Sequence, residues 1–97
     1  MLNHVIIVGR VSNFDINDNS VTLAVPRSFR NKDGIYETDY IPAKLWKGVA
    51  SQLSLVNIGD IIGVRGRLER VGVDLKFVGE KITFLAPGKM EEVHRED

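Results

Sequence analysis

Large aromatic and basic side chains recur at every second position near the middle of the chain. Tyr40, Lys44 and Trp46 occupy even-numbered positions, whereas the apolar Ile41 and Leu45 occupy odd-numbered positions, which we call the opposite parity. Residues two apart in a β-strand point to the same side of the sheet. Two rings and an ammonium group would therefore share one surface, where rings can stack on nucleobases and cations can contact phosphates.

A later apolar run places two arginines on the same kind of surface. Ile62, Val64 and Leu68 are predicted to point into the domain. The residues between them, Arg65 and Arg67, are then predicted to point outward. They add positive charge to the candidate surface.

A third aromatic residue, Phe29, stands between Arg27 and Arg30 in a segment predicted to be a loop. Interleaved rings and cations are the composition that single-stranded nucleic acid requires. The candidate nucleic-acid-binding residues are therefore Phe29, Tyr40, Trp46, Lys44, Arg65, Arg67, Arg27 and Arg30.

Each of these residues also has a plainer interpretation. Tyr40 and Trp46 could seal a subunit interface, where aromatic residues are enriched. Phe29 could fold back as a plug of the core, and Arg65 and Arg67 could simply be solvated strand residues.

Five segments alternate in the way expected of β-strands, and polar stretches such as Asn13–Ser20 and Arg30–Gly34 separate them. The sequence therefore predicts an all-β domain. The predicted strands are His4–Val11, Val21–Val25, Tyr36–Trp46, Ile61–Leu68 and Leu75–Leu85.

One segment between the third and fourth strands has helical spacing. Apolar residues at 49, 53 and 56 predict a short helix over Lys47–Val56. Three strands, a helix and two strands is the order of an OB-fold, a five-stranded Greek-key barrel that often binds oligonucleotides or oligosaccharides. An SH3-like barrel is the nearest alternative, but it would not have a helix there. The OB-fold domain is predicted over residues 1–87, followed by a short, acidic, flexible C-terminus, 88–97.

Composition narrows the possible functions of this 97-residue chain. There is no cysteine, so thiolate metal sites and cysteine nucleophiles are excluded. No catalytic motif or metal-ligand spacing is present, so we expect neither an enzyme nor a cofactor. The longest apolar run, Val5–Val8, is too short to span a membrane. Net charge is zero, but residues 1–89 hold twelve basic and nine acidic side chains and are mildly basic.

Four segments, in this order, resemble the bacterial single-stranded DNA-binding proteins. The similarity extends from Met1 to about Pro87. The order of the four segments, with a short helix between them, makes the resemblance specific. The segments are Leu2–Val11, Thr22–Val25, Tyr36–Ile41 and Gly63–Leu68.

The resemblance implies a homotetramer, with a dimer as the alternative, that binds single-stranded DNA in replication, recombination and repair. The implied location is the bacterial cytoplasm, at the nucleoid, with a bacterial or phage source. Family positions that stack bases are matched by Phe29, Tyr40 and Trp46. The first strand would pair with a second copy, and the interface residues would be His4, Ile6, Val8 and Arg10.

The chain also departs from the family pattern. The last hairpin, near residues 69–74, is short and holds no aromatic residue, which implies a smaller DNA site. Residues 94–97 do not form an acidic tip ending in an aromatic, so no tail-mediated recruitment of replication or repair proteins is expected. The alternative is an OB-fold assembly module resembling the tail-less primosomal replication protein N.

Overall fold

Five strands form a closed barrel in the computed structural model, which describes residues 1–88. Around the barrel the strand order is β1-β2-β3-β5-β4, and β4 pairs with β1 to close it. All neighbours are antiparallel except β3 and β5, which are parallel. The strands are β1 Val5–Asp15, β2 Ser20–Arg30, β3 Tyr36–Leu45, β4 Ile61–Val71 and β5 Asp74–Ala86.

The connection between β3 and β4 carries the predicted helix. It consists of one α-helical turn, α1, at Lys47–Ala50 and a 3₁₀ segment at Ser51–Leu55. Ser54 Oγ donates a hydrogen bond to Ser51 O at 3.0 Å, and such a bond competes with regular helix formation. The OB-fold topology expected from the sequence is therefore confirmed, although the helix is divided.

The core lies inside the barrel and beneath the helical segment. Val49, Leu53 and Val56, the predicted helical stripe, are all buried, so this segment closes one end of the barrel. Leu23 and Ile62 are fully buried in the wall. Replacing a leucine or isoleucine of this kind with alanine costs about 2–5 kcal/mol.

An irregularity between β4 and β5 matters for the outer surface. Arg65 pairs with Lys81 and Gly66 pairs with Gly79, so Glu80 is an additional residue on β5. A β-bulge of this kind turns a side chain away from its regular direction. Gly66 lies against the main chain of Val78, where a Cβ atom would not fit.

Four of the five strands extend beyond their predicted bounds, and β1 and β2 extend furthest. β1 continues to Asp15 and β2 spans Ser20–Arg30, so half of the predicted loop Asn13–Ser20 is strand and only 16–19 form the turn. Phe29 lies within β2. The outer half of β2, 27–30, is exposed on both faces. A strand without a buried face has no hydrophobic alternation by which the sequence could predict it.

Leu68 has the parity of the buried Ile62 and Val64, but it is not buried as predicted and is 40% exposed. It lines an open groove together with Ile7, Ile41, Leu75 and Phe77. β4 extends past the closed wall at this point, so the inward direction no longer means burial.

The predicted acidic C-terminus, 88–97, lies outside the described residues except for Gly88. Its N–H donates to Asp60 Oδ1 at 2.9 Å. Among residues 1–88, no helix is long and apolar enough to cross a membrane.

Candidate nucleic-acid interface

The outer face of β3 presents the aromatic residues that the sequence predicted there. Tyr40 is 65% exposed and Trp46 58% exposed, whereas Ala43 and Leu45 are buried. Side chains alternate across a strand, so the burial of one parity leaves the other in solvent. The exposure predicted for both rings is confirmed. We call the row Tyr36, Thr38, Tyr40, Pro42 and Lys44 the β3 face.

Trp46 lies just beyond β3 and begins α1. Its N–H donates to Gly79 O at 2.9 Å, and its C=O accepts from the N–H groups of Val49 and Ala50 at 2.9 and 3.1 Å. The backbone of Trp46 is therefore fixed by a neighbouring strand and by the first helical turn.

Phe29 lies in the hairpin formed by the ends of β2 and β3. It is 84% exposed, which excludes the alternative in which it plugs the core. The pairing shifts between Pro26–Thr38 and Arg30–Tyr36, so the residues around Phe29 form an irregular stretch of the hairpin.

Tyr36 is an aromatic residue of the same face that the sequence reasoning missed. It is 53% exposed and has the parity of Tyr40 in β3. The Arg30 guanidinium carbon lies 5.3 Å from its ring centroid, within the range of a cation–π contact. The parity argument applied to Tyr40 could have been extended to Tyr36, because both lie in the predicted strand.

Lys44 is on the β3 face, but its charge is already paired. Its Nζ lies 2.8 Å from Asp18 Oδ1 and also donates to Asp18 O at 2.6 Å. The hydrogen bond from Lys44, with its charge, lowers the pKa of Asp18.

Arg27 is held by two carboxylates. Its guanidinium donates to both carboxylate oxygens of Asp39, at 2.9 and 3.0 Å, and lies 2.9 Å from Glu37. This pairing raises the pKa of Arg27 and lowers that of Asp39. Glu37 and Asp39 have the parity opposite to Tyr40, so the Arg27 head group lies on the other face of the hairpin.

Arg67 lies between Glu69 and Glu80 and forms an ion pair with each. The hydrogen bond to Glu69 is the main cause of its raised pKa, and partial desolvation opposes this rise. Glu80 is the additional residue of the β5 bulge. Val78 pairs with both Lys44 and Arg67, which places Arg67 two strands from the β3 face.

Arg65 is on a different part of the barrel from the aromatic residues. It lies opposite Ile6 on β1 and Lys81 on β5. Within residues 1–88, neither Arg65 nor Arg30 forms an ion pair. The structure therefore groups Tyr40, Lys44 and Trp46 along β3, adds Phe29 and Arg30 on the hairpin, and leaves Arg65 apart.

The predicted oligomer interface is an exposed strip on β1. Ile6 is 67% and Val8 49% exposed, and they adjoin exposed Leu85 in a depression of about 290 Å³. His4 is exposed just before the strand. Arg10 instead reaches toward the segment before β4, where its Nη1 donates to Gly59 O at 2.8 Å.

No group of three His, Asp or Glu side chains within residues 1–88 could hold a metal ion.

No model of a protein family matches the chain. Individual curated proteins do match it.

Three relatives are bacterial proteins named for single-stranded DNA binding. Single-stranded DNA-binding protein B of Bacillus subtilis is 38% identical over 78 residues, which is 71% of this chain and 69% of that protein. Protein 1 of Streptococcus pyogenes is 32% identical, covering 71% of this chain and 60% of its own length. The Bacillus cereus protein is 34% identical, covering 90% and 62%. The matched region thus spans less than two thirds of the length of the last two relatives.

Solved structures show the same fold. The mitochondrial single-stranded DNA binding protein of S. cerevisiae matches with a TM-score of 0.66 and 21% identity, over 89% of this chain and 97% of that chain. The Plasmodium falciparum protein, solved with single-stranded DNA, matches with a TM-score of 0.64 and 15% identity, over 88% and 96%.

Proposed function

The chain belongs to the bacterial-type family of single-stranded DNA-binding proteins, and we propose that it binds single-stranded DNA with little sequence preference by stacking bases on exposed rings. The observation that carries this proposal is the exposure of Tyr40 on the β3 face and of Trp46 directly after β3. Exposed rings leave apolar area in water with no benefit to folding. Unpaired bases would cover that area.

In this proposal, the single-stranded DNA runs along the β3 face. Tyr40 and Trp46 are six residues apart, about 20 Å along an extended strand. Tyr36 extends the row onto the β2–β3 hairpin, where Arg30 lies over its ring. Phe29 is exposed next to Arg30, in the irregular stretch of the same hairpin. Each stacked base contributes about 1–3 kcal/mol, and every base has a ring face, so stacking does not depend on sequence.

Phosphate contacts are secondary in this proposal. Lys44, Arg27 and Arg67 already hold carboxylates, so a phosphate must displace an existing partner to reach them. Among the predicted cations, Arg30 and Arg65 form no ion pair within residues 1–88. Arg65 lines the depression beside Ile6 and Val8, so Arg30 is the one that accompanies the exposed rings. Binding is therefore expected to weaken only moderately as salt is raised, because few counterions are released.

The proposal includes self-association through β1. Ile6 and Val8 are exposed, and Gly63 of β4 leaves their flank open. An apolar strip of this kind is suited to a second copy, with His4 and Arg10 at its ends. We expect a homotetramer, with a dimer as the alternative. The proposed cellular role is in DNA replication, recombination and repair in the bacterial cytoplasm.

The affinity for a fluorescein-labelled oligo-dT tests the binding role. Replacing both residues, Tyr40→Ala and Trp46→Ala, should weaken binding by about 2–6 kcal/mol if their contributions add. Leu55→Ala is the control, because Leu55 is also 65% exposed but lies on the helical segment. An unchanged affinity in the double variant would contradict the proposal.

A second function is an OB-fold assembly module whose exposed rings bind protein. The pairing of three surface cations with carboxylates favours it, because such a surface attracts a polyanion weakly. Titration with oligo-dT at low salt separates the two functions. Absence of binding at micromolar protein would favour the assembly module.

A further inference from the structure

The indole ring of Trp46 lies against the main chain of Gly48 at the start of α1. A Cβ atom built on Gly48 would overlap the ring carbon Cζ3 and would lie 2.7 Å from Cε3 and 3.1 Å from Cη2. The three nearest atoms all belong to this one ring. Any side chain at position 48 would therefore push the indole away.

The backbone itself does not require glycine at position 48. The glycines with positive φ are Gly34, Gly59 and Gly72, and Gly48 is not among them. Position 48 is exposed and lies within α1, where alanine is the better helix former. The space occupied by the Trp46 ring is thus the feature of the structure that accounts for glycine here.

We propose that Gly48 is a positioning residue, whose missing side chain seats the Trp46 indole in the orientation that stacks on a base. This inference rests on the proposed function of Trp46. Hydrogen bonds on both sides fix the Trp46 main chain, so the ring moves only about its side-chain torsions. Contact with Gly48 restricts those torsions. A ring held in its binding orientation loses less freedom when a base stacks on it.

Gly48→Ala separates ring position from folding. Trp46 is the only tryptophan in the chain, so its emission spectrum and its quenching by acrylamide report on this ring alone. We expect an unchanged or raised melting temperature, altered emission, and an oligo-dT affinity reduced at least threefold. The reduction should not exceed that of Trp46→Ala, about 5- to 150-fold. Ser51→Ala, on the same helical segment, is the control and should leave emission and affinity unchanged.

A double-mutant cycle shows whether Gly48 acts through Trp46. In the Trp46→Ala background, Gly48→Ala should change affinity by less than about twofold. Unchanged emission and affinity in the single variant would overturn the inference, and so would an equal loss in both backgrounds. If Trp46→Ala itself leaves affinity unchanged, the proposed role of Trp46 fails as well. That outcome is distinct from one in which only Gly48→Ala is without effect.

Discussion

The basic side chains near the β3 face are largely neutralised within the molecule. Lys44 contacts Asp18, Arg27 contacts Glu37 and Asp39, and Arg67 contacts two glutamates. An exposed ion pair adds little to stability. It can nevertheless control binding, because the carboxylate competes with an incoming phosphate for the same cation.

Asp18→Asn tests this competition. The substitution should remove the carboxylate that competes for Lys44 and leave only the bond to the main-chain O of residue 18. We expect it to raise oligo-dT affinity a few-fold at low salt, and to steepen the salt dependence by about 0.7 in slope for one added phosphate contact. Asp33→Asn makes the same change in net charge at the tip of the hairpin without releasing a lysine. Equal salt slopes for the two variants, measured over a series of NaCl concentrations, would contradict the competition.

The same pairs predict an effect of acid on folding. The pKa values of Asp18 and Asp39 are lowered in the folded protein, chiefly by hydrogen bonds from Lys44 and Arg27. Their contribution to stability is therefore present above the unfolded value, near pH 4, and is lost as pH falls through the lowered folded values. Urea unfolding should show Asp18→Asn less stable than the parent protein at pH 7, with the difference closing in acid. A difference that persists at pH 2 would contradict this assignment.

At the scale of elements, one buried carboxylate joins the start of β4 to the end of β5. Asp60 is 5% exposed and accepts hydrogen bonds from the N–H groups of Asn57 and Gly88, both at 2.9 Å. Its own C=O accepts from the N–H of Val11 at 2.8 Å. Three parts of the chain therefore meet at this residue.

Asp60→Ala should lower the free energy of unfolding by about 1–3 kcal/mol, since two N–H groups lose their acceptor. Urea denaturation measures this difference. Asp60→Asn keeps one acceptor oxygen and should lose less. If alanine and asparagine variants are both as stable as the parent protein, the two hydrogen bonds do not stabilise this junction.

Sequence predicts an element well where one of its faces is buried. The barrel parts of the strands and the apolar stripe of the helical segment follow from such alternation. The outer end of β2, 27–30, has no buried face, and its strand character comes only from pairing with β3. Leu68 shows the converse, because its apolar character and parity predict burial at a point where the wall of the barrel has ended.

The same limit applies to the candidate site: side chains on a strand with one buried face were predictable, and contacts between strands were not. Parity alone was enough to predict the exposure of Tyr40 and Trp46, because Ala43 and Leu45, of the opposite parity, are buried. The ion pairs of Lys44 and Arg67 depend on strands brought together by the fold, and the Arg67–Glu80 pair depends on a bulge. No local pattern in the sequence contains that information.

At the scale of the whole molecule, the exposed strip on β1 predicts self-association. Ile6→Glu should shift the molecular mass toward that of the monomer, because an unpaired carboxylate would be buried between subunits. Light scattering at micromolar protein measures the mass. Ile58→Glu is the control, since Ile58 is also exposed, at 58%, but lies before β4. An unchanged mass for Ile6→Glu would exclude this strip as the interface.

The most direct test of the central claim is the fluorescence of Trp46 during titration with oligo-dT. The stacked arrangement predicts saturable quenching at a defined ratio of nucleotides to protein, and much weaker quenching by a duplex of equal length, whose bases are already stacked. Binding of labelled oligo-dT without any change in Trp46 emission would contradict it.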